Sequence, residues 1–233
     1  MILLLPALTA AQTAPDQTSM PTIVVTATRS ETPAFETAAS IDSVSLADPA
    51  ANTPGINPSE YLATIPGLIA RDRQNYAQDE QISIRGFGAR SSFGVRGVRL
   101  YVDGIPATMP DGQGQVSNFN LGSGDRIEVL RGPFSALYGN SSGGVIQIFT
   151  ADGTTPSELR GAIDGGSYGT YRIDFNARGS GNALDYNVDL SHFYTDGYRG
   201  HGRAERDSGN AKVDIHLDGD RKLTLLANTV VLP

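Results

Sequence analysis

The chain has 233 residues, of which 18 are Lys or Arg and 25 are Asp or Glu, and its net charge is −7. This length is enough for one or two domains with a buried core. The acidic balance argues against a nucleic-acid partner, because phosphate-binding faces are basic. The three His and the lack of Cys argue against a zinc site and exclude a disulfide framework. The apolar stretches are much shorter than the ~20 residues of a membrane-spanning helix, so a membrane location would require β-strands.

The N-terminus begins with a segment typical of a secretory signal peptide. Residues 1–11 have an apolar run followed by small residues, with Thr9 and Ala11 at the −3 and −1 positions of a cleavage site. The segment lacks the usual basic residues, which a start codon assigned too far downstream would explain. The alternative is an apolar N-terminus that packs against the body of the protein. Residues 12–36, which contain no Gly, are predicted to be a flexible tail.

The tail contains one run of residues that favour β-structure: Thr22, Ile23, Val24, Val25, Thr26, Ala27 and Thr28. Such a run predicts an extended strand. The neighbouring sequence offers no partner strand. The run is therefore either an unpaired edge or a segment that pairs with the sheet edge of another protein, as in β-strand addition.

The body that follows is rich in Gly and predicts one short helix and several short strands. Asn57 and Pro58 suit the N-cap and the first position of a helix that ends before Pro66 and Gly67. The predicted strands are residues 81–85, 98–102, 126–130 and 144–150. Strands of this length, separated by glycine, predict a small mixed α/β or mostly β unit.

Residues 158–233 alternate between apolar and polar side chains. The apolar positions are 171, 173, 175 and 177 in one run and 184, 186, 188 and 190 in the next, and the same period continues towards residue 229. About five strands are predicted, each with one apolar and one charged face. In water the apolar face would pack on a second sheet. In an outer membrane it would face lipid, with the charged face towards a polar lumen.

Two segments of the body resemble a known family. They are ISIRGFGARSSFGVRGVRLYVDGIPATMPDGQGQ at 82–115 and DRIEVLRGPFSALYGNSSGGVIQIFT at 125–150. Both resemble the plug domain of TonB-dependent outer-membrane receptors. The residues that match its motifs, and for which the resemblance implies a structural role, are Arg85, Gly86, Asp103, Gly104, Glu128, Arg131, Gly132, Tyr138, Gly139, Gly143 and Gly144.

The resemblance implies a fold and a domain organisation. Residues 37–153 would form a small mixed α/β plug domain, and residues 154–233 would form the start of an antiparallel transmembrane β-barrel. Barrels of this kind have about 22 strands, of which about five are predicted here. An unclosed sheet edge leaves backbone groups unpaired in lipid. The sequence is therefore expected to be a fragment of a longer protein or the product of a truncated gene.

The resemblance also implies partners and a location. Residues 22–28 fall where the family carries its TonB box, so they are expected to bind TonB in the periplasm, where TonB acts with ExbB and ExbD. The protein is expected to be a monomer in contact with lipid, in the outer membrane of a Gram-negative bacterium.

Ligand binding is implied at two loops of the plug. The expected ligand-binding residues are Arg90, Ser91, Ser92, Phe93, Arg96, Met109, Asp111 and Gln113. Guanidinium groups suit an anionic ferric chelate, because they bind carboxylates or catecholates. The alternative is that these Arg side chains pair with carboxylates of the plug or with the barrel wall. Arg85 and Arg131 are expected to bind carboxylates of barrel strands beyond this sequence.

The implied function is uptake of a ferric siderophore or of ferric citrate, with energy coupled through TonB. The segment MPDGQGQ at 109–115 is most similar to receptors for ferric citrate and other ferric chelates. Cobalamin, another metal chelate or a saccharide is an alternative cargo. A non-functional truncated receptor fragment is a further alternative.

The sequence does not indicate enzymatic chemistry. His192, His201 and His216 have no matching nucleophile near them in the sequence. No helix pattern follows the glycines at 86 and 88, so they do not form a dinucleotide-binding fingerprint. We expect no catalytic activity, no bound metal and no cofactor.

Overall fold

The structure, a computed structural model, describes residues 24–25, 32–33, 40–47, 53–76, 78–91, 94–116, 119–132, 135–139, 141–217 and 221–232. The first elements in chain order are β1 (Val24–Val25), β2 (Thr32–Pro33), β3 (Ser40–Ser45), α1 (Ser59–Leu62), β4 (Leu68–Arg71), β5 (Gln81–Ile84), β6 (Val98–Val102) and β7 (Ile105–Pro106). They are followed by β8 (Gly124–Arg131), α2 (Ser135–Tyr138), β9 (Gly144–Thr150), β10 (Glu158–Gly165), β11 (Tyr171–Ser180), β12 (Leu184–Thr195), β13 (Ala204–Leu217) and β14 (Arg221–Val231).

Residues 40–150, which we call the plug unit, contain a five-stranded mixed sheet in the order β3-β8-β9-β6-β7. Strands β6 and β9 are parallel, and the other pairs are antiparallel. The predicted strands at 98–102 and 144–150 are confirmed, and those at 81–85 and 126–130 are found as β5 and as the longer β8. Strands β3 and β4 and helix α2 were not predicted, since such short segments carry little periodicity.

Apolar side chains fill the centre of the plug unit. Leu62 of α1, Ile84 of β5, Leu100 of β6 and Ile127 of β8 have no exposed surface. Burial of one such side chain contributes about 1.5–3 kcal/mol to stability. The predicted alternation of strands and glycine turns thus produces a hydrophobic core that joins the sheet, α1 and the small β4–β5 sheet.

Helix α1 begins at Ser59, one residue later than predicted, and Pro58 rather than Asn57 is at its N-cap. No side chain at its N-cap makes a capping hydrogen bond. Instead, the Glu60 carboxylate accepts hydrogen bonds from the backbone N–H groups of Gly55 (2.6 Å), Ile56 (3.2 Å) and Asn57 (2.9 Å). A carboxylate in the first turn that reaches back in this way fixes the loop that leads into the helix, as the Glu of a capping box does for the N-cap N–H.

Glycine is required at the start of β9, where the backbones of the plug unit approach closely. A Cβ at Gly143 would lie 2.6 Å from the Cβ of Phe87. A Cβ at Gly144, which has a φ of +138°, would overlap the carbonyl oxygen of Leu130. Any larger residue at these two positions would displace β8 or the turn that contains Phe87.

Strands β10–β14 form an antiparallel sheet in chain order, which we call the C-terminal sheet. The five strands that the alternation predicts are confirmed. Phe175 and Leu190, which are directly opposed, are 45% and 56% exposed on one face. Asn187 and Asp189, on the other face of β12, are both 1% exposed because the plug unit covers them. The apolar face of this sheet is therefore its outer face, and the polar face is its inner face.

Helices contribute little to the architecture, since α1 and α2 have four residues each. Within the described ranges, no helix has the length and apolar character needed to cross a bilayer. The predicted signal peptide at 1–11 and most of the predicted tail lie outside the described residues.

Candidate ligand-binding site and plug contacts

Backbone hydrogen bonds hold two loops of the plug unit side by side. One loop follows β5 and the other follows β7. The Val95 N–H donates to the Gly114 carbonyl (2.7 Å), and the Gly114 N–H donates to the Val95 carbonyl (2.8 Å). The Met109 N–H donates to the Gln113 carbonyl (2.8 Å), which closes the second loop. Both loops contain predicted ligand-binding residues, so the structure brings these two parts of the sequence together.

An open depression of about 640 Å³ lies beside this contact. Four predicted residues line it: Arg90, Ser91, Arg96 and Gln113. Phe87, which is 48% exposed, also lines it and was not among the predicted residues. The aromatic residue between two glycines at 86 and 88 was the available signal for Phe87. The volume falls within the range of small-molecule sites, about 300–1,000 Å³.

The remaining predicted ligand-binding residues are placed differently. Met109, 57% exposed, and Asp111 lie on the second loop and do not line the depression. Ser92 and Phe93 lie outside the described residues. The depression therefore brings together four of the eight predicted ligand-binding residues.

The two Arg side chains of the depression differ in their surroundings. Arg96 donates a hydrogen bond to the Gln113 side-chain oxygen (3.1 Å) and lies 3.6 Å from the Asp111 carboxylate. Asp111 also accepts a hydrogen bond from the Gln113 N–H (3.0 Å), so the three residues form one network. Arg90 is exposed and has no ion-pair partner in the part of the chain that the structure describes. The uncompensated positive charge of the depression is thus that of Arg90.

Asp103 ties the β6–β7 turn to the end of β9. Its two carboxylate oxygens accept hydrogen bonds from the Thr150 N–H (2.8 Å) and hydroxyl (2.6 Å). Its φ of +49° belongs to the left-handed region, as does the φ of +79° at Gly104. Hydrogen bonds to the carboxylate hold Asp103 in a conformation that most residues avoid.

Arg131, which is expected to bind a carboxylate of a later barrel strand, also has partners within the plug unit. Its guanidinium group forms an ion pair with Asp42 of β3 and donates a hydrogen bond to the Pro66 carbonyl (2.5 Å). These contacts join the edge strand β3 to the turn after α1. Arg85, by contrast, is exposed and has a φ of +50°.

Glu128 is completely buried on β8, where it pairs with Arg126. The Arg126 Nε donates to the Glu128 carboxylate (2.9 Å), and its guanidinium group lies 4.2 Å from the centre of the Phe149 ring. Burial acts against the charge of Arg126, but hydrogen bonds to Glu128 and Asp125 raise its pKa overall. The buried Glu128 carboxylate is therefore neutralised by Arg126, which indicates a structural role for the pair.

Glu80 is the second buried carboxyl group of the plug unit, and it is 2% exposed. Its Oε2 accepts a hydrogen bond from the Ser59 N–H (2.9 Å), while its Oε1 has no partner among the described residues. Burial raises the pKa of Glu80 to about 7; hydrogen bonds from Ser59 oppose this rise, and the charges of Glu60 and Asp72 add to it. Glu80 therefore changes its charge near neutral pH.

The plug unit is bonded to the inner face of β12 and β13. The Asn187 side-chain amide donates to the carbonyl oxygens of Ser123 (3.2 Å) and Ala151 (2.9 Å). The Arg206 guanidinium group, 6% exposed, donates to the Phe119 carbonyl (2.7 Å). These bonds hold the loop before β8 against the sheet.

Two further contacts extend this attachment along the sheet. The Lys212 ammonium group lies 2.6 Å from the Asp152 carboxylate and donates to the Thr150 carbonyl (3.3 Å). The rings of Tyr76 and Phe193 have their centres 4.8 Å apart. The inner face of β12 and β13 thus contacts the plug unit over most of its length.

His192, Glu205 and Asp207 come together on β12 and β13, which the sequence did not predict. One ligand atom of each lies within 4.8 Å of the others. The ring nitrogens of His192 already face protein groups, with Nδ1 2.6 Å from the Asp207 carboxylate and Nε2 3.2 Å from the Tyr171 hydroxyl. These contacts form a polar network at the end of the two strands.

Only the backbone at residues 24–25 is described within the predicted TonB-binding segment. It is extended and pairs antiparallel with β2, with Val24 opposite Pro33 and Val25 opposite Thr32. The other five residues of the segment lie outside the described residues.

The sequence profile of the TonB-dependent Receptor Plug Domain family matches residues 33–145. The chain belongs to the TonB-dependent receptors. The pesticin receptor of Yersinia pestis is 35% identical over 181 residues, which are 76% of this chain and 25% of that protein. The chain thus spans about a quarter of the length of the curated relatives it matches.

Solved structures agree with this membership of the TonB-dependent receptors. The ferric yersiniabactin uptake receptor FyuA from Yersinia pestis has a TM-score of 0.63 and 27% identity, covering 82% of this chain and 31% of that chain. The pyoverdine outer membrane receptor FpvA from Pseudomonas aeruginosa PAO1 has a TM-score of 0.70 and 22% identity, covering 89% of this chain and 30% of that chain; this likeness shows the fold alone. The predicted fold class, a mixed plug domain followed by a partial barrel, is confirmed.

Proposed function

We propose that the receptor to which this chain belongs imports a ferric chelate across the outer membrane of a Gram-negative bacterium, with energy coupled through TonB. The observation that carries this proposal is the open depression on the plug unit with Arg90 and Arg96 in its lining. The similarity to FyuA, a ferric yersiniabactin uptake receptor, supports the class of cargo.

Arg90 is the residue that would contribute most to ligand charge recognition. Arg96 is oriented by Gln113 and partly neutralised by Asp111. Arg90 has its charge available, and a guanidinium group binds the carboxylate or catecholate oxygens of a chelate through two parallel hydrogen bonds. Phe87 adds an exposed ring to the same depression. The site therefore offers one free cation and one apolar contact to the ligand.

The test compares two Arg→Gln variants of the receptor. Arg90→Gln is expected to weaken equilibrium binding of a ferric chelate by about tenfold, because one charge-assisted hydrogen bond is lost. Arg73→Gln is the matched control, since Arg73 lies on an exposed turn of the plug unit and binds the Asp79 carbonyl (3.0 Å). The probes are ferric yersiniabactin, ferric enterobactin and ferric citrate, titrated into the purified receptor.

Equal affinity of the Arg90→Gln variant and the unmodified receptor would show that the depression is not the ligand site. Absence of binding for all three ferric chelates, with binding of cobalamin or a saccharide, would favour the alternative cargo. Growth under iron limitation separates these outcomes in cells, because only uptake of a ferric chelate restores it.

For energy coupling, we propose that residues 22–28 bind TonB, which works with ExbB and ExbD, by adding a strand. The residue types favour extended structure, and the described part of the segment is a strand. A Val25→Pro substitution is expected to abolish uptake and preserve ligand binding, because Pro removes a backbone N–H from the strand ladder. A Val25→Ala substitution keeps the N–H and serves as control. Normal uptake by the Val25→Pro receptor would contradict the assignment.

A further inference from the structure

The contacts between the plug unit and the C-terminal sheet are unevenly distributed. The inner face of β12 and β13 is bonded to the plug unit through Asn187, Arg206 and Lys212. On β11 the Arg172 guanidinium group donates to the Pro54 carbonyl. The rest of the inner face of β10 and β11 lines a space instead.

This space, which we call the seam cavity, has a volume of about 290 Å³. Leu46, Tyr61 and residues 121–125 form its wall on the plug side. The inner faces of β10 and β11 form most of the other wall, and Asn187 and Asp189 of β12 complete it at the bonded side. The residues of β10 and β11 in the lining are Arg160, Ala162, Arg172, Asp174, Asn176 and Arg178. Ala162 is opposite Asp174 in the strand register, and its small side chain leaves this part of the wall open.

Buried polar atoms at the seam cavity have no hydrogen-bond partner within the described part of the chain. They are the Asp189 Oδ1, the Asp174 Oδ1 and the Ser123 Oγ. Asp189 and Ser123 are each 1% exposed. Polar atoms buried in this way require water or a polar ligand. Water in the seam cavity would satisfy these atoms, and a hydrated side of the plug unit separates from the wall more easily than the bonded side.

The lining of the seam cavity holds as many Asp as Arg side chains, and most of these charges are paired. Arg172 is paired with Asp174 (2.6 Å), and Arg178 is paired with Glu158 (2.7 Å). Arg160, which also lines the seam cavity, has no ion-pair partner in the described ranges. Its guanidinium group can therefore bind a carboxylate or catecholate group of a transported solute. A volume of about 290 Å³ is too small for a whole ferric chelate, so the plug unit has to move before a chelate can pass.

We propose that the imported solute passes between the plug unit and strands β10 and β11, while the plug unit stays attached to β12 and β13. The seam cavity is the starting point of this passage, and Arg160 is the group that contacts the anionic solute. This proposal rests on the proposed function and adds the side of the plug on which transport occurs.

The first test blocks the seam cavity from the wall side in the whole receptor. Ala162→Phe places a ring in the cavity and is expected to reduce uptake of ferric yersiniabactin at least tenfold, with equilibrium binding unchanged. Ile163→Phe is the matched control, because Ile163 is the next residue on the same strand and is 80% exposed on the outer face. Outer-membrane levels of both variants are measured by immunoblotting.

A second test makes the block reversible and does not depend on the folding of the Phe variant. This chain has no Cys, so Ala162→Cys, in a receptor without other Cys, can be modified after folding with a bulky thiol reagent that forms a disulfide. Uptake is expected to fall on modification and to return after reduction. The same treatment of Ile163→Cys, at a position that is 80% exposed on the outer face of the same strand, is expected to leave uptake unchanged.

Normal uptake by both the Ala162→Phe receptor and the modified Ala162→Cys receptor would overturn the proposed passage. Equal loss of uptake on modification at 162 and at 163 would show that the effect does not arise from the seam cavity. If the unmodified receptor neither binds nor imports any ferric chelate, the proposed function fails instead. The two failures are thus distinguished by the behaviour of the unmodified receptor.

Discussion

The plug unit and the C-terminal sheet place similar side chains in opposite positions. Leu100 of the plug unit is completely buried, whereas Leu190 of the sheet is 56% exposed. Asp189, next to Leu190, is 1% exposed. The plug unit follows the rule of a water-soluble domain, with apolar residues inside. The C-terminal sheet has apolar residues on its outer face and polar residues on the inner face, which contacts the plug unit. This is the arrangement of a barrel strand in lipid. The two regions of the chain therefore suit two environments, water for the plug unit and lipid for the outer face of the sheet.

The largest expected effect is on the free energy of unfolding, when a Leu side chain is truncated to Ala in each of the two regions. Leu100→Ala is expected to lower the free energy of unfolding by about 2–5 kcal/mol, because it leaves a cavity in the core. Leu190→Ala in the detergent-solubilised protein is expected to change it by about 0.5 kcal/mol or less, because no cavity forms. Chemical denaturation measures both values, and equal losses would contradict the contrast.

A charge on the outer face tests the lipid contact of the sheet. Leu190→Arg, at the middle of β12, is expected to destabilise the protein in a bilayer by about 2–4 kcal/mol. Leu217→Arg, on the same face at the end of β13, is the matched control and is expected to cost about 0–1 kcal/mol. Unfolding from lipid vesicles gives both values. A similar cost at both positions would mean that the face does not lie across a bilayer.

A smaller, pH-dependent effect is expected at Glu80 in the plug unit. Its pKa is about 7 in the folded protein, above the ordinary value of 4.5, because it is buried. The folded state thus binds the proton more tightly than the unfolded state. The contribution of Glu80 to stability falls as the pH rises from about 4.5 to about 7 and stays at its lowest value above that range.

Glu80→Gln is therefore expected to stabilise the protein above pH 7 by at most about 3 kcal/mol and to have little effect near pH 4. The Gln side-chain oxygen can still accept the hydrogen bond from the Ser59 N–H. Thermal unfolding of both proteins across this pH range measures the difference. A Glu80→Gln protein that keeps the pH dependence of the original would exclude Glu80 as its source.

The parts of the fold that sequence could predict are those with a strong local signal. The alternation from Tyr171 to Ala177 repeats with the period of a strand, so it predicted β11 and its apolar face. Strand β9 was predicted because β-branched and aromatic residues follow Gly144. Strand β3 was not predicted, since Asp42 and Ser43 separate its two apolar residues, Ile41 and Val44, and this spacing lacks the alternation of a strand.

The candidate site depends on contacts between residues that are far apart in the sequence. No local sequence pattern predicts such contacts. Asn187 donates to the carbonyl oxygen of Ser123, 64 positions earlier. Arg131 pairs with Asp42, because the pairing of β3 with β8 brings that carboxylate within reach. The predicted loops did meet in one depression, but the neutralisation of Arg96 by Asp111 required the folded loop.

The edge position of β3 has a consequence for how the plug unit can come apart. This strand is the first of the plug unit in the chain, pairs only with β8 in the described sheet, and its side chains are at most partly buried. If β3 detaches, strands β8, β9, β6 and β7 still form a continuous sheet around the same core. Local opening that starts from the tail can therefore stop after one strand, once the ladder between β3 and β8 and the ion pair between Arg131 and Asp42 are broken.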